Sequence, residues 1–173
     1  MFLFLFPLVG DAATRRNAIN ALVLLSQTVG IGQDFYGEQE TSTSCHVTLN
    51  KRQVLSIFEC LLTSMNDYKT DRRGDVGSWC RIAAMNGLQS IVHLVIGINQ
   101  GRKTTSSSES NLEHFHQACQ SNFFDKDICE KVFCALLKQL GEKLDTVRSK
   151  AGLVIENILS TSNPMVPFVP DRQ

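Results

Sequence analysis

The chain has 173 residues, of which 43% are hydrophobic and 20% are charged, and its 17 basic residues balance 17 acidic ones. This composition supplies enough apolar side chain for a folded core and excludes disorder over the whole length. A balanced charge without a dense basic run argues against a protein that binds nucleic acid by neutralising phosphates. Only four prolines occur, three of them in the last ten residues, so most of the chain can be helical.

Apolar residues recur at three- and four-residue steps through most of the chain, as is typical of helices. The sequence predicts helices over residues 12–29, about 49–66, 78–98, 126–140 and 144–160. A further short helix is predicted over 112–119. The apolar start MFLFLFPLVG lacks a basic residue and is broken by Pro7, so we interpret it as a helix end or a truncated start rather than a targeting segment. It is also too short to span a bilayer.

Polar, glycine-rich stretches separate the helices, and no alternating stretch predicts a β-strand. Two of them, near 33–45 and 101–110, are interpreted as loop-like insertions, and 67–78 as a polar loop between helices. The tail 163–173 contains three prolines, which favour an extended conformation. The sequence therefore predicts an all-α fold: one α-solenoid segment, 1–173, of about three antiparallel helix pairs.

Three predicted helices share a pattern in which Arg, Ala and a large aliphatic residue fall at positions i, i+3 and i+7. The small Ala allows a neighbouring helix to approach closely, and the aliphatic residue fills the gap one turn later. An acidic residue precedes each Arg, where it can cap the helix or pair with an Arg of the same or the adjacent repeat. This pattern is typical of the second helix of HEAT-type repeats. Its members are Arg15, Ala18, Leu22; Arg81, Ala84, Leu88; and Arg148, Ala151, Ile155.

The sequence carries no motif of a common enzyme chemistry. The sequence contains no phosphate-binding G-x-x-x-x-G-K-[ST], no G-x-S-x-G and no H-E-x-x-H, and we predict neither an enzyme nor a cofactor. His114, His116 and Cys119 lie close together, but the two histidines would point to different faces of a helix, so a metal site is not predicted. Cys60, Cys80, Cys129 and Cys134 fall within apolar helical patterns and are interpreted as reduced core thiols, which favours a cytoplasmic location.

The segment from residue 67 to residue 81 is the richest in functional residue types. A calcium loop is not predicted, because Ser78 stands where the twelfth-position Glu would be needed. One interpretation is an exposed loop that caps a helix and pairs charges locally; the other is a docking loop with Trp79 and Tyr68 as candidate anchors. Trp79 continues an apolar face and is predicted to lie in the core. The candidate protein-interaction residues are Asp67, Tyr68, Asp71, Arg72, Arg73, Gly74 and Asp75.

The same segment carries a resemblance. DYKTDRRGDVGSWCRIAAMNGL, residues 67–88, closely resembles a stretch of the tubulin-specific chaperone D family, also called tubulin folding cofactor D. Cys80 stands where the family pattern has Val. Residues 11–30 and 164–172 are similar to flanking parts of that family. The matching residues are Tyr68, Asp71, Arg73, Gly74, Asp75, Val76, Gly77, Trp79, Arg81, Ala83, Ala84 and Met85.

The resemblance implies a HEAT-type α-solenoid that binds β-tubulin and helps to assemble and disassemble the α/β-tubulin heterodimer. It implies tubulin folding cofactors C and E and an Arf-like small GTPase as partners, and promotion of GTP hydrolysis by tubulin together with those cofactors. It also implies a cytoplasmic, microtubule-associated protein without catalytic residues of its own. Family members are far longer, so we expect this chain to be a fragment. The alternative is a generic HEAT-repeat scaffold for unrelated partners.

Overall fold

The computed structural model describes residues 10–31, 48–97, 123–162 and 165–169. In these ranges the fold is all-α, as predicted, and of the HEAT-repeat type. One short feature differs from the prediction, because an antiparallel hairpin of β1 (Thr70–Asp71) and β2 (Gly74–Asp75) joins the second and third helices. The helices are α1 (Ala12–Val29), α2 (Lys51–Ser64), α3 (Gly77–Val95), α4 (Lys126–Leu140) and α5 (Asp145–Ser160).

The described helices form two layers. In one layer, α3 lies between α1 and α5 and contacts both. The other layer consists of α2 and α4: α2 packs on α3, α4 packs on α5, and α2 and α4 contact each other. This is the arrangement of stacked helix pairs that the repeated Arg–Ala–aliphatic pattern predicts. The division of the whole chain into three such pairs remains a prediction.

Side-chain caps fix where three of the helices begin. The Asp11 carboxylate accepts a hydrogen bond from the Thr14 backbone N at 2.7 Å, and Asp125 caps α4 in the same way. Asn50 and Gln53 form a reciprocal capping box at the start of α2. The predicted bounds of α1 and α4 match the structure, those of α2 and α3 differ by one to three residues at each end, and α5 begins one residue later than predicted.

The core is centred on α3, which packs against α1 and α5 in its own layer and against α2 in the other layer. At Gly87 the side chains of α1 and α2 come close to the α3 backbone: a Cβ there would lie 2.8 Å from Val23 and 2.9 Å from Leu61. The helical periodicity of α1 predicts an apolar face made of Ala18, Ala21, Leu22, Leu25 and Val29, and part of that face is wrong. Leu25, which belongs to that face, is 59% exposed, whereas Ile19 is fully buried against α3.

The rotation of α1 has a polar cause. Arg15 lies on the same face as Ile19 and is buried in an ion pair. If α1 turned so that Leu25 faced inward, Arg15 would leave Asp67, and that carboxylate would stay buried without its partner at a cost of several kcal/mol. Burial of one Leu gains only about 1.5–3 kcal/mol, so the ion pair favours the observed face.

Several predictions concern residues outside the described ranges. They are the apolar start, the insertions near 33–45 and 101–110, the helix at 112–119, and the group His114, His116 and Cys119. None of the described helices is long and apolar enough to cross a membrane.

Candidate protein-interaction site

The segment between α2 and α3, residues 67–75, is called here the hairpin segment. Its two strands pair Thr70 with Asp75 and Asp71 with Gly74. The turn is closed by Asp71, whose Oδ1 accepts a hydrogen bond from the Arg73 backbone N at 2.7 Å. Gly74 has φ +101°, a backbone conformation that side chains strongly disfavour, so glycine is needed where the chain turns back toward α3.

The hairpin segment begins with a buried ion pair to α1. Arg15 Nε donates to Asp67 Oδ2 at 2.8 Å, and the two side chains are 3% and 2% exposed. The Lys69 backbone N donates to the other carboxylate oxygen at 3.1 Å. Burial by itself would raise the pKa of Asp67, but these hydrogen bonds outweigh it and hold the pKa below the usual value. Asp67 is therefore ionised and already fully engaged within the fold.

The segment ends against a second buried arginine. Arg81 is fully buried and donates from both Nη atoms to the Asp75 carboxylate, at 3.2 and 2.7 Å. It also donates to the Asp67 backbone carbonyl at 2.7 Å. The start of α3 sits tightly on this corner, because a Cβ at Gly77 would lie only 2.2 Å from the same carbonyl oxygen.

The three arginines of the repeated pattern make equivalent contacts. Each donates to a backbone carbonyl in the segment that precedes its own helix: Arg15 to Gly10, Arg81 to Asp67, and Arg148 to Glu142. The arginines therefore anchor the loops of their own repeats, a contact that the sequence did not predict.

Two loop carboxylates also reach back to the arginine of the preceding repeat. Asp67 pairs with Arg15, and a Glu142 oxygen lies 3.8 Å from Arg81. Asp67 and Glu142 thus hold the same position in successive repeats, and adjacent repeats are joined by charge. Pairing of an arginine with an Asp of the same or the adjacent repeat was predicted; it is confirmed within a repeat by Arg81 with Asp75 and between repeats by Arg15 with Asp67.

Tyr68 extends the second of these junctions. Its ring lies against the Arg81 guanidinium, 4.4 Å from ring centroid to Cζ, and its hydroxyl donates to the Glu142 carboxylate. Burial and the neighbouring carboxylate raise its pKa, so the phenol stays protonated and keeps this bond at neutral pH. Although 44% of Tyr68 is exposed, its polar end already has a partner.

The remaining candidate residues form the exposed end of the segment, called here the hairpin tip (residues 71–74). Arg73 and Asp71 pair at 2.6 Å, with side chains 58% and 38% exposed, and Arg72 is exposed beside them. An ion pair this exposed contributes little stability, and so a partner can displace it at small cost. Asp67, Asp75 and the Tyr68 hydroxyl hold the segment in place, whereas the tip faces outward.

Trp79 does not lie in the core, contrary to the prediction. It is half-buried on the first turn of α3, outside the hydrophobic cluster. The Arg73 and Arg16 guanidinium carbons lie 4.9 and 5.9 Å from its ring centroid. The apolar periodicity of α3 could not reveal this, because it does not show that α3 begins at the surface beside α1. Arg16, which the sequence analysis did not single out, also belongs to this surface.

Asp67, Asp71 and Asp75 each form an ion pair with a different arginine, and the part of the chain described holds no cluster of metal-ligating side chains.

Of the predicted core thiols, Cys60, Cys80 and Cys129 are free and buried, and burial raises the pKa of each to about 11. Cys134 is also free, but it is exposed on α4, so its placement in the core was wrong.

Comparison with known proteins finds similarity to tubulin folding cofactor D in two ways. A family model described as Tubulin folding cofactor D C terminal matches residues 130–173. The chain is 29% identical over 160 residues to Tubulin-specific chaperone D of Dictyostelium discoideum, which covers 91% of this chain. The chain resembles part of tubulin-specific chaperone D. No solved structure matches.

The resemblance to chaperone D has a defined extent. The chain spans about a tenth of the length of the Dictyostelium relative. The family-model match includes α5 and most of α4 and begins well after the hairpin segment. Similarity to chaperone D is therefore found both over nearly the whole chain and in its C-terminal part, but the C-terminal match does not include the hairpin tip.

Proposed function

We propose that this chain binds β-tubulin and serves as a segment of a tubulin folding cofactor. The observation that carries the proposal is the 29% identity to Tubulin-specific chaperone D across nearly the whole chain. The mechanism is protein binding without catalysis, with the binding energy spread over a helical-repeat surface. In this proposal the segment helps β-tubulin to fold and supports assembly and disassembly of the α/β-tubulin heterodimer.

The hairpin tip is the proposed contact. Asp71, Arg72, Arg73 and Gly74 are exposed, and the buried ion pairs on either side hold them in one position. A preorganised loop loses little conformational entropy on binding. Its arginines would meet an acidic surface on tubulin, which sets the rate of association and the register of the complex more than its affinity.

The finer parts of the proposal follow from the same resemblance. Tubulin folding cofactors C and E would act with the longer protein to promote GTP hydrolysis by tubulin. An Arf-like small GTPase would regulate it, in the cytoplasm and partly on microtubules. These activities belong to the whole chaperone D protein, of which this chain spans about a tenth.

The test is co-migration of the purified chain with tubulin on a sizing column. We expect co-migration by the native chain and its loss in the Arg72→Glu/Arg73→Glu variant. The matched control is Lys126→Glu/Lys131→Glu, which makes the same change of charge on the exposed face of α4. Circular dichroism checks that each variant is helical.

A folded native chain that does not co-migrate with tubulin would refute the proposal and favour the generic HEAT-repeat scaffold. Co-migration that survives in the tip variant would move the contact away from the hairpin tip. Equal loss in the control variant would show that binding depends on overall charge and not on a defined surface.

A further inference from the structure

Trp79 is held between two arginines that come from different parts of the fold. Arg73 belongs to the hairpin tip and Arg16 to the first turns of α1, and both are exposed. Their guanidinium carbons lie 4.9 and 5.9 Å from the centroid of the half-buried indole ring. At these distances the ring attracts both cations, so the three side chains form one surface, called here the Arg–Trp–Arg surface.

The charges on this surface are only partly balanced. Arg16 donates to the neutral side chain of Asn17, at 3.3 and 3.2 Å, and the exposed Arg72 precedes Arg73 in the hairpin tip. Neither forms an ion pair with any residue in the described ranges. Two carboxylates lie nearby. Asp71 pairs with Arg73, and Asp11, whose pKa is lowered mainly by hydrogen bonds from Thr14, is occupied as the cap of α1.

The chemistry of an Arg–Trp pair determines what such a surface can bind. A guanidinium that lies over a ring uses its flat face for the ring and keeps its edge N–H groups for hydrogen bonds. Those edges match the two oxygens of a carboxylate, which they bind in a bidentate manner. Because Arg16 and Arg73 are positioned by α1 and the hairpin before any ligand arrives, carboxylates spaced along an extended chain could engage both.

We propose that the Arg–Trp–Arg surface binds an acidic peptide segment of a partner protein, through carboxylates on Arg16, Arg72 and Arg73. This deepens the proposed function and rests on it for the identity of the partner, which would present such a segment to the tip. The incoming carboxylates displace Asp71 from Arg73, so binding is moderate in affinity and sensitive to salt. A nucleic acid is disfavoured, because the chain has no net positive charge and only three arginines converge here.

The chain carries its own reporter, because Trp79 is the only tryptophan in the sequence. A poly-glutamate peptide is titrated into the intact chain, and both tryptophan fluorescence and the anisotropy of a dye-labelled copy of the peptide are followed. We expect saturable binding by both measurements at about 0.05 M salt and strong weakening at about 0.5 M salt. A poly-lysine peptide is expected not to bind.

Variants localise the effect. Arg16→Gln/Arg73→Gln should weaken binding about tenfold or more, since it removes two charge-assisted contacts. Lys126→Gln/Lys131→Gln removes the same charge from α4 and should leave binding unchanged. Trp79→Leu should also weaken binding in the anisotropy assay, provided that its circular dichroism matches the native chain.

Four results would overturn the proposal: no saturable binding by the native chain at low salt; equal weakening in the α4 variant; full binding by the Arg16→Gln/Arg73→Gln variant; or tighter binding of a single-stranded oligonucleotide than of poly-glutamate. The tubulin test is separate. A chain that binds poly-glutamate at this surface but does not co-migrate with tubulin would keep the peptide site and refute the tubulin proposal. Co-migration with tubulin without poly-glutamate binding would keep the tubulin proposal and refute the peptide site.

Discussion

Replacing Asp67 with alanine tests whether the ion pair between repeats holds the fold together. The side chains of Arg15 and Asp67 are 3% and 2% exposed, so water cannot replace the lost carboxylate. Removal of one partner from a pair buried this deeply costs about 3–5 kcal/mol, because the remaining charge stays buried without compensation. Total stabilities of domains are about 5–15 kcal/mol, so Asp67→Ala should lose a large fraction of the free energy of unfolding.

The assay is urea denaturation followed by circular dichroism, with Asp71→Ala as the matched control. The carboxylate of Asp71 also pairs with an arginine, but the pair is exposed, so its removal should cost about 1 kcal/mol or less. In the double variant Arg15→Met/Asp67→Leu, no buried charge remains, and most of the lost stability should return. A loss for Asp67→Ala no larger than that for Asp71→Ala would refute this account of the junction, as would a double variant no more stable than Asp67→Ala.

Three further predictions concern pH, glycine and cysteine. The pKa of Asp67 is lower in the folded chain than in the unfolded one, so its contribution to stability is present above an unfolded pKa of about 4 and is lost as pH falls through the folded pKa. The stability of Arg15→Met/Asp67→Leu should therefore depend less on pH below about 4 than that of the native chain. An identical pH dependence would contradict the lowered pKa of Asp67. Gly77→Ala should lower the midpoint of thermal unfolding and cost about 1–3 kcal/mol or more, because its Cβ would lie 2.2 Å from a backbone oxygen. Gly152→Ala, whose Cβ would lie 3.8 Å from the Leu140 side chain, should be neutral or stabilising by up to about 1 kcal/mol. Alkylation with iodoacetamide at pH 8, read peptide by peptide in a mass spectrometer, should modify Cys134 well before the three buried thiols, and equal rates would show that those thiols are accessible.

Much of the fold was predictable because helical periodicity is a local signal. The bounds of α1 follow from its cap at Asp11 and its stop at Gly30, both of which are visible in the sequence. The pairing of repeated arginines with acidic residues was also predictable, since it depends on residue types at regular intervals. The hairpin was not, because two-residue strands are too short to produce an alternating pattern.

The candidate site shows where local reasoning ends. Asp67 and Arg73 are similar in sequence terms, as charged residues of one polar segment, yet one is buried and the other exposed. The difference arises from Arg15, which lies 52 residues before Asp67 and meets it only through the packing of α1 on α3. Long-range contacts of this kind also bring Arg16 to Trp79, which is why neither residue was assigned to the surface from the sequence.

The separation of a fixed base from an exposed tip within the hairpin segment gives experimental access to this molecule. Because Asp67 and Asp75 secure the segment from both sides, a cysteine-linked dye or spin label at Thr70, in a variant whose exposed Cys134 is replaced, would sit on a well-defined part of the backbone beside the tip. It would leave Arg72 and the buried arginines in place. Changes in its signal would report the arrival of a partner, whereas a label on α4 would report only the folding of the repeat. The chain thus offers separate positions at which recognition and stability can be followed in the same sample.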